Sequence, residues 1–238
     1  MIPKIIHYCW FGRGEMPELA QKCIASWHEC MPDWEYKLWN EDNFDVNQIP
    51  YTKEAYATKK YAFVSDYVRL WALYNEGGVY LDVDFEVYKP FDDLLQWEAF
   101  AGFEGSKYSP LMMGVIASQA QGDWVSEQLN YYLDRHFIKD DGSLDMITNV
   151  QFVSSNMRQY GFVQNGREQN YKDLHIFPVE YFCPRQTTGE YFRTTNTYCE
   201  SVGVSSWAKQ GGWKAKVGKV VGQKAMTRLI LLKRKLFG

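Results

Sequence analysis

The sequence predicts a layered α/β domain built around a parallel sheet. Two observations carry that expectation. The chain opens on a strand–helix–strand unit, and further along a long helix is joined through Gly77-Gly78 to a short apolar strand. At 238 residues, with 46% hydrophobic and 23% charged side chains, the chain has enough apolar surface for one medium-sized core.

Lys4 to Trp10 (KIIHYCW) is a short apolar run stopped by Gly12-Arg13-Gly14, the pattern of a buried first strand running into a loop. Pro17 to Glu29 has helical spacing through Leu19, Cys23, Ile24 and Trp27, and Met31-Pro32-Asp33 ends it. Trp34 to Trp39 alternates as a second strand does. Glu54 to Asn75 is expected to be one long helix, on which Ala62, Ser65, Asp66 and Arg69 share a face. Glycine at 77 and 78 supplies the turn that stops it. Val79 to Asp84 is expected as a strand with Val79, Leu81 and Val83 on one side and Tyr80, Asp82 and Asp84 on the other. Further strands are expected at Phe100–Glu104 and Leu111–Ala117, and a helix at Asp123–Phe137. Beyond Asn165 the pattern weakens to loops and short strands.

The chemistry concentrates in SDYVRLWALYNEGGVYLDVDFEVY, residues 65–88. Carboxylates two residues apart at a strand end, with a third carboxylate and an arginine on the preceding helix, present hard oxygen ligands suited to Mn²⁺ or Mg²⁺. Such an ion neutralises a diphosphate leaving group, and Asp66 and Arg69 are placed to grip sugar hydroxyls by charge-assisted hydrogen bonds. The residues alone leave a second reading open: Asp66 and Arg69 as a helix-surface ion pair, and Asp82 and Asp84 as a solvated strand face.

Charge is uneven. Lys209, Lys214, Lys216, Lys219, Lys224, Arg228, Lys233, Arg234 and Lys235 follow Glu200 with no acid among them, leaving 17 basic against 29 acidic residues before that point. The last stretch, TRLILLKRKLF, is apolar and cationic, and is expected to be a short amphipathic helix on an anionic membrane or packed on the domain. No nucleic-acid module accompanies the charge, so no nucleic-acid partner is expected. Five cysteines without CxxC or zinc spacing suit reduced thiols. MIPKIIHYCWFG is too short and aromatic for a signal peptide, and no apolar run approaches a membrane span. A cytoplasmic protein, peripheral at the inner face of the cytoplasmic membrane, is expected.

Four blocks in order, Ile2 to Gly12 (IPKIIHYCWFG), Trp27 with Met31-Pro32-Asp33-Trp34, Lys37-Leu38-Trp39-Asn40, and SDYVRLWALYNEGGVYLDVD, resemble the DXD sugar-transferase family. That family includes the yeast initiating α-1,6-mannosyltransferases and bacterial capsular polysaccharide glycosyltransferases, and shares its catalytic fold with the large clostridial glucosylating toxins. The resemblance is strong over residues 1–100 and thin beyond. It implies a GT-A fold, a Rossmann-like nucleotide-sugar-binding domain, over residues 1–207, with 208–238 as the basic tail. It also implies Mn²⁺ or Mg²⁺, a nucleotide-sugar donor (UDP favoured), a lipid-linked oligosaccharide acceptor, and retention of anomeric configuration. By position, Trp10 would stack on the base, with a core tryptophan at a strand end as the alternative. Asp66 and Arg69 would hold donor-sugar hydroxyls, Tyr80 would line the donor pocket, Asp82 would contact ribose and the metal's water shell, and Asp84 would bind the metal. Ser205, Ser206 and Trp207 would close over the donor phosphates. No protein base is implied, because a diphosphate oxygen can take the acceptor's proton.

One departure matters. The family's His-His-x-x-x-Ser-Trp-like terminus is met here by Tyr198 to Trp207, where Ser201 and Val202 stand in place of the histidines. Glu200, Ser201, Ser205 or water is left as the third metal ligand. The leading expectation is a retaining glycosyltransferase of bacterial surface-polysaccharide assembly. The alternative is a non-catalytic nucleotide-sugar or glycan-binding module with a degenerate metal site. A metal phosphohydrolase lacks the His/Asp clusters it would need.

Overall fold

A computed structural model of the chain describes residues 1–105, 110–185, 191 and 193–203. The tail at 208–238, its expected helix, and Ser205, Ser206 and Trp207 lie outside the described residues.

The opening unit forms as expected. β1 (Ile5–Cys9) leads through α1 (Glu18–Cys30) to β2 (Glu35–Trp39), which pairs parallel with β1. α1 buries Ala20, Cys23 and Trp27 at i, i+3 and i+7, and Trp27 Nε1 donates to the Phe85 carbonyl at 2.7 Å. Leu19, expected on the inner face, is exposed in the first turn; Ala20 takes its place.

The expected long helix is two. α2 (Pro50–Ala57) and α3 (Tyr61–Glu76) are separated by three residues. Lys59 adopts φ +59, Lys60 N–H donates to Ala55 O and Lys59 N–H to Tyr56 O, so the break is a left-handed helix cap closed on lysine. No glycine or proline marks it, which is why the apolar pattern runs through unbroken. At the end of α3, Gly77 (φ 68) and Gly78 (φ 112) do act as the break. A side chain at Gly78 would also stand 2.7 Å from the Ile5 carbonyl, so β3 could not lie against β1.

β3 (Gly78–Leu81) stops short of its expected end. Asp82 to Phe85 is a turn, closed by Phe85 N–H to Asp82 O at 3.1 Å, and β4 (Phe85–Val87) leaves in a new direction. β5 (Ala99–Phe103) and β6 (Leu111–Ser118) appear where expected, but β6 runs antiparallel to both β3 and β5, so the sheet is mixed. α4 (Asp123–Asn130) is shorter than expected. Tight turns over 131–135 fold Arg135 back onto the Tyr51, Tyr132 and Phe152 rings. α5 (Asn149–Arg158), β7 (Gln169–Tyr171), β8 (Leu174–Phe177) and β9 (Cys199–Ser201) complete the described elements.

The main sheet has the order β2-β1-β3-β6-β5-β8-β7, and β4 pairs with β9 in a separate antiparallel ribbon. β2, β1, β3, β5 and β8 point one way, with antiparallel β6 in the middle and antiparallel β7 at the edge. The sheet is covered on both faces. One buried cluster, with Val64, Val68, Tyr80, Phe103 and Met113, packs under α2 to α5. The other, with Trp27, Leu81, Phe85, Phe100 and Val115, packs under α1 and the β4–β9 ribbon. Ligands of open α/β sheets sit beyond the carboxyl ends of the parallel strands, where the strand order reverses. In this sheet, Trp10 follows β1 and Asp82 follows β3 at that edge.

Candidate active site

α3 carries Asp66 and Arg69 one turn apart on its sheet-facing side, at 8% and 5% exposure. The guanidinium of Arg69 is saturated. Nη2 lies 3.0 Å from Asp66 Oδ1 and 3.3 Å from Asp82 Oδ1, Nη1 donates to Met113 O at 2.5 Å, and Nε donates to Ser65 O at 3.2 Å. Its Cζ lies 4.6 Å from the centroid of the Tyr80 ring, whose hydroxyl donates to Asp82 Oδ1 at 2.8 Å. Asp66, Arg69, Tyr80 and Asp82 therefore form one ion-pair cluster. A planar five-donor group suits such a junction, where lysine does not. Burial works against the arginine's charge, but the surrounding acids, Asp82 foremost, outweigh it and keep the guanidinium charged.

Asp84 stands on the other side of the turn, against β9. Ser201 Oγ donates to its Oδ2 at 3.1 Å, and Val202 N–H donates to its main-chain carbonyl at 2.9 Å. The residue in the place of the family's histidine thus hydrogen-bonds the carboxylate expected to bind metal. Gly203 closes over it so tightly that an added Cβ would lie within 2.4 Å of Asp84 Oδ2. Glu200, a neighbour of Ser201 on β9, points the other way, as strand geometry requires. It is buried beside Tyr88, with Arg185 Nη2 at 3.6 Å.

Electrostatics mark the cluster as a place short of positive charge. Burial raises the Asp66 carboxyl to about 6 even though Arg69 opposes it. Burial, then the charge of Asp82, raises Asp84 to about 6. Asp66 and Asp84, made costly to ionise by burial and then by the charge of Asp82, are relieved by a bound cation.

Trp10 is half-buried at the end of β1, one strand over from this cluster. Its ring nitrogen donates to Gly14 O at 2.6 Å, which folds the 10–14 loop back on itself. Gly12 N–H donates to Glu41 Oε1 at 2.6 Å and pins that loop to the segment after β2.

Several contributors escaped the sequence reading. The β5–β6 pairing shifts register between Ala101 and Phe103, a bulge that leaves the Met113 carbonyl free for Arg69. Gly114 lies in it: its carbonyl accepts from Asp82 N–H, and a Cβ there would stand 2.9 Å from Asp82 Oδ2. An isolated glycine inside LMMGVIA is the signal that could have shown it. The backbone N–H of Asn149, the first residue of α5, favours the charged form of Asp66, and nothing in the sequence pattern reveals that neighbour. At the opposite edge of the sheet, a cavity of about 820 Å³ is lined by Glu98, Asp123, Glu127 and Asp173. Asp173 caps α4, and Glu127 pairs with Lys172, so those two are already engaged in holding the fold.

Residues 17–101 match the family model for the glycosyltransferase sugar-binding region containing DXD motif. The match spans Asp66, Arg69, Tyr80, Asp82 and Asp84. Over 106 residues the chain is 37% identical to inositol phosphoceramide mannosyltransferase 3 of Schizosaccharomyces pombe, covering 42% of this chain and 29% of that protein. Over 130 residues it is 42% identical to glucan organizing enzyme 1 of Cryptococcus neoformans, covering 50% of this chain and 36% of that one. The chain thus spans only about a third of the length of these curated relatives. Similar solved structures include the galactosyltransferase LgtC in complex with donor and acceptor sugar analogues, 12% identical with a TM-score of 0.47 over 94% of each chain. They also include the PaToxG glycosyltransferase, 20% identical with a TM-score of 0.45 over 54% of this chain and 59% of that one.

The DXD region fits a divalent ion. Its donors are carboxylate oxygens, the chemistry of Mg²⁺ and Mn²⁺, and its charge is unbalanced. Among the described residues no three His, Cys, Asp or Glu side chains gather into a ready cage. Asp84 and Asp82 would hold the ion, with phosphate oxygens and water completing it, as suits a metal that arrives with its nucleotide.

Proposed function

We propose that the protein is a metal-dependent glycosyltransferase that moves one sugar from a nucleotide-sugar donor to a hydroxyl of a lipid-linked glycan. The observation that carries this is the arginine that joins Asp66 and Asp82 at the carboxyl edge of the sheet, inside the DXD region and beside Asp84. Asp84, with Asp82, holds the ion; a bound ion lowers the charge of the departing nucleotide diphosphate. Arg69 fixes the rotamers of Asp66 and Asp82, so the sugar meets carboxylates already in place and little ordering is left for the moment of reaction. Asp66 accepts hydrogen bonds from donor-sugar hydroxyls. Trp10 offers a ring face to the base.

The finer reading follows the sequence resemblance: a UDP-hexose donor, retention of configuration, and bacterial capsular or surface-polysaccharide assembly. Galactose, glucose, mannose and N-acetylhexosamine all remain open as the donor sugar, and the relatives named as mannosyltransferases favour mannose among them. Residues 208–238 would bring the enzyme to the anionic inner face of the membrane where a lipid-linked acceptor resides. Incubation with Mn²⁺ and a panel of UDP- and GDP-sugars is expected to release nucleotide with one preferred donor. Ser201 standing on Asp84 where the family has histidine favours a second reading, a donor-binding module without turnover. Metal-dependent donor binding with no release from any donor, even with extracted lipid-linked acceptor present, would decide for it.

A further inference from the structure

Glu104 follows the last residue of β5, at the same sheet edge as Trp10 and Asp82, and has no part in the donor site described above. Its backbone N–H donates to Pro110 O at 3.0 Å, which holds the end of β5 to the start of β6. β5 alternates strictly: Ala101 and Phe103 face the cluster under α3, while Phe100 faces the other side. Glu104 therefore faces the β4–β9 side. The 181–185 segment is pressed against the strand there. A Cβ on Gly102 would lie 2.7 Å from the Phe182 ring, and Gly105 contacts Cys183 through its backbone. Burial first, then the charge of Asp82, raises the Glu104 carboxyl above its ordinary range, which places it within electrostatic reach of the donor cluster.

The strand order places this carboxyl on a line. β1, β3, β6 and β5 are consecutive neighbours, and adjacent strands lie ~4.8 Å apart, so Glu104 stands roughly 10 Å beyond Asp82 on the side away from Trp10. A donor lying with its base at Trp10 and its diphosphate at Asp82 and Asp84 carries its sugar along this line. Arg69 reaches Met113 on β6, so the sugar-holding pair lies below β3 and β6.

We propose that Glu104 is an acceptor-binding residue, whose carboxyl takes a hydrogen bond from a hydroxyl of the incoming acceptor sugar and aims the attacking oxygen at the donor. The proposal rests on the transferase reading. It assigns no bond-making to Glu104, and the attacking hydroxyl's proton leaves on a diphosphate oxygen. The same donor complex is attacked by water in its place when no acceptor is bound, and that hydrolysis does not need Glu104.

The test compares wild type, Glu104→Gln and Glu104→Asp in Mn²⁺ with the preferred donor of the panel. Hydrolysis is measured in water, and transfer to octyl glucoside, octyl galactoside and octyl mannoside is measured separately. Wild type is expected to transfer to at least one glycoside. Glu104→Gln is expected to raise the KM for that glycoside about tenfold, the loss of one charge-assisted hydrogen bond, while donor KM and hydrolysis stay within twofold and the melting temperature is unchanged. Glu104→Asp is expected to recover part of the loss. Equal falls in transfer and hydrolysis, unchanged transfer, or transfer to none of the three glycosides by a wild type that hydrolyses its donor would overturn the assignment. Absence of nucleotide release from every donor by wild type would instead remove the transferase reading, and the acceptor role with it.

Discussion

Asp84 owes its position to three neighbours: Ser201 on its carboxylate, Val202 on its carbonyl, and Gly203 with no side chain at all. A methyl group on Gly203 cannot fit unless the carboxylate moves. Gly203→Ala is therefore expected to weaken Mn²⁺-dependent donor binding by about 10–100-fold, the usual effect of disturbing a ligand's supporting contacts. Calorimetric titration with donor checks this, and unchanged affinity would show that Asp84 is not held by this packing. His7 is the other residue whose surroundings fix its chemistry. Its Nε2–H donates to Gly77 O at 2.7 Å and its Nδ1 accepts from Trp39 Nε1 at 3.1 Å, so a second ring proton would break the tryptophan bond. Burial lowers its pKa below 6.5. The unfolded chain then binds more protons at this residue, so its contribution to stability is full above pH ~6.5 and is lost as pH falls toward the folded-state value. Asp66 and Asp84, raised to about 6, act with the opposite sign, since the folded chain keeps their protons between their ordinary carboxyl range and that value. Thermal melts at pH 7 and pH 5 separate the terms: His7→Gln is expected to lose less stability than its parent on acidification. An equal loss would acquit His7.

At the scale of elements, most of what positions the site was legible. Gly77-Gly78 marks the end of α3, and the i, i+3 spacing of Asp66 and Arg69 puts them on one face, as observed. Two boundaries were not legible, for different reasons. The α2–α3 break is made by Lys59 at φ +59, with backbone bonds closing the cap, and composition carries no trace of it. Lys59→Gly removes the cost of a Cβ in that region and is expected to raise stability by roughly 0.5–1 kcal/mol. A denaturant midpoint that falls instead would mean the lysine side chain is needed there. The end of β3 was missed because alternation continues through Asp82 and Asp84 in sequence while the chain turns in space. The turn separates the two acids, giving Asp82 to Arg69 and Asp84 to Ser201. A straight strand would have put both on the same row.

For the whole molecule, sheet order decides which residues meet. Local periodicity shows strands, but it does not show that β6 enters antiparallel between β3 and β5, or that β9, over 110 residues after β4, returns to pair with it. Those long-range pairings bring Met113, Gly114, Ser201 and Gly203 to the acids, and they are why the supporting contacts were invisible while the acids themselves were not. The same order lays Trp10, the DXD turn and Glu104 along one edge, the line on which the proposed donor and acceptor contacts rest. Asp84 is expected to make donor binding depend on a divalent ion. Calorimetry with the preferred donor, with and without Mn²⁺, on wild type and Asp84→Ala tests it most directly. Wild type is expected to bind at least about tenfold more tightly with Mn²⁺, and Asp84→Ala to melt cooperatively yet show no gain from the ion. An equal Mn²⁺ enhancement in the two proteins would contradict the account.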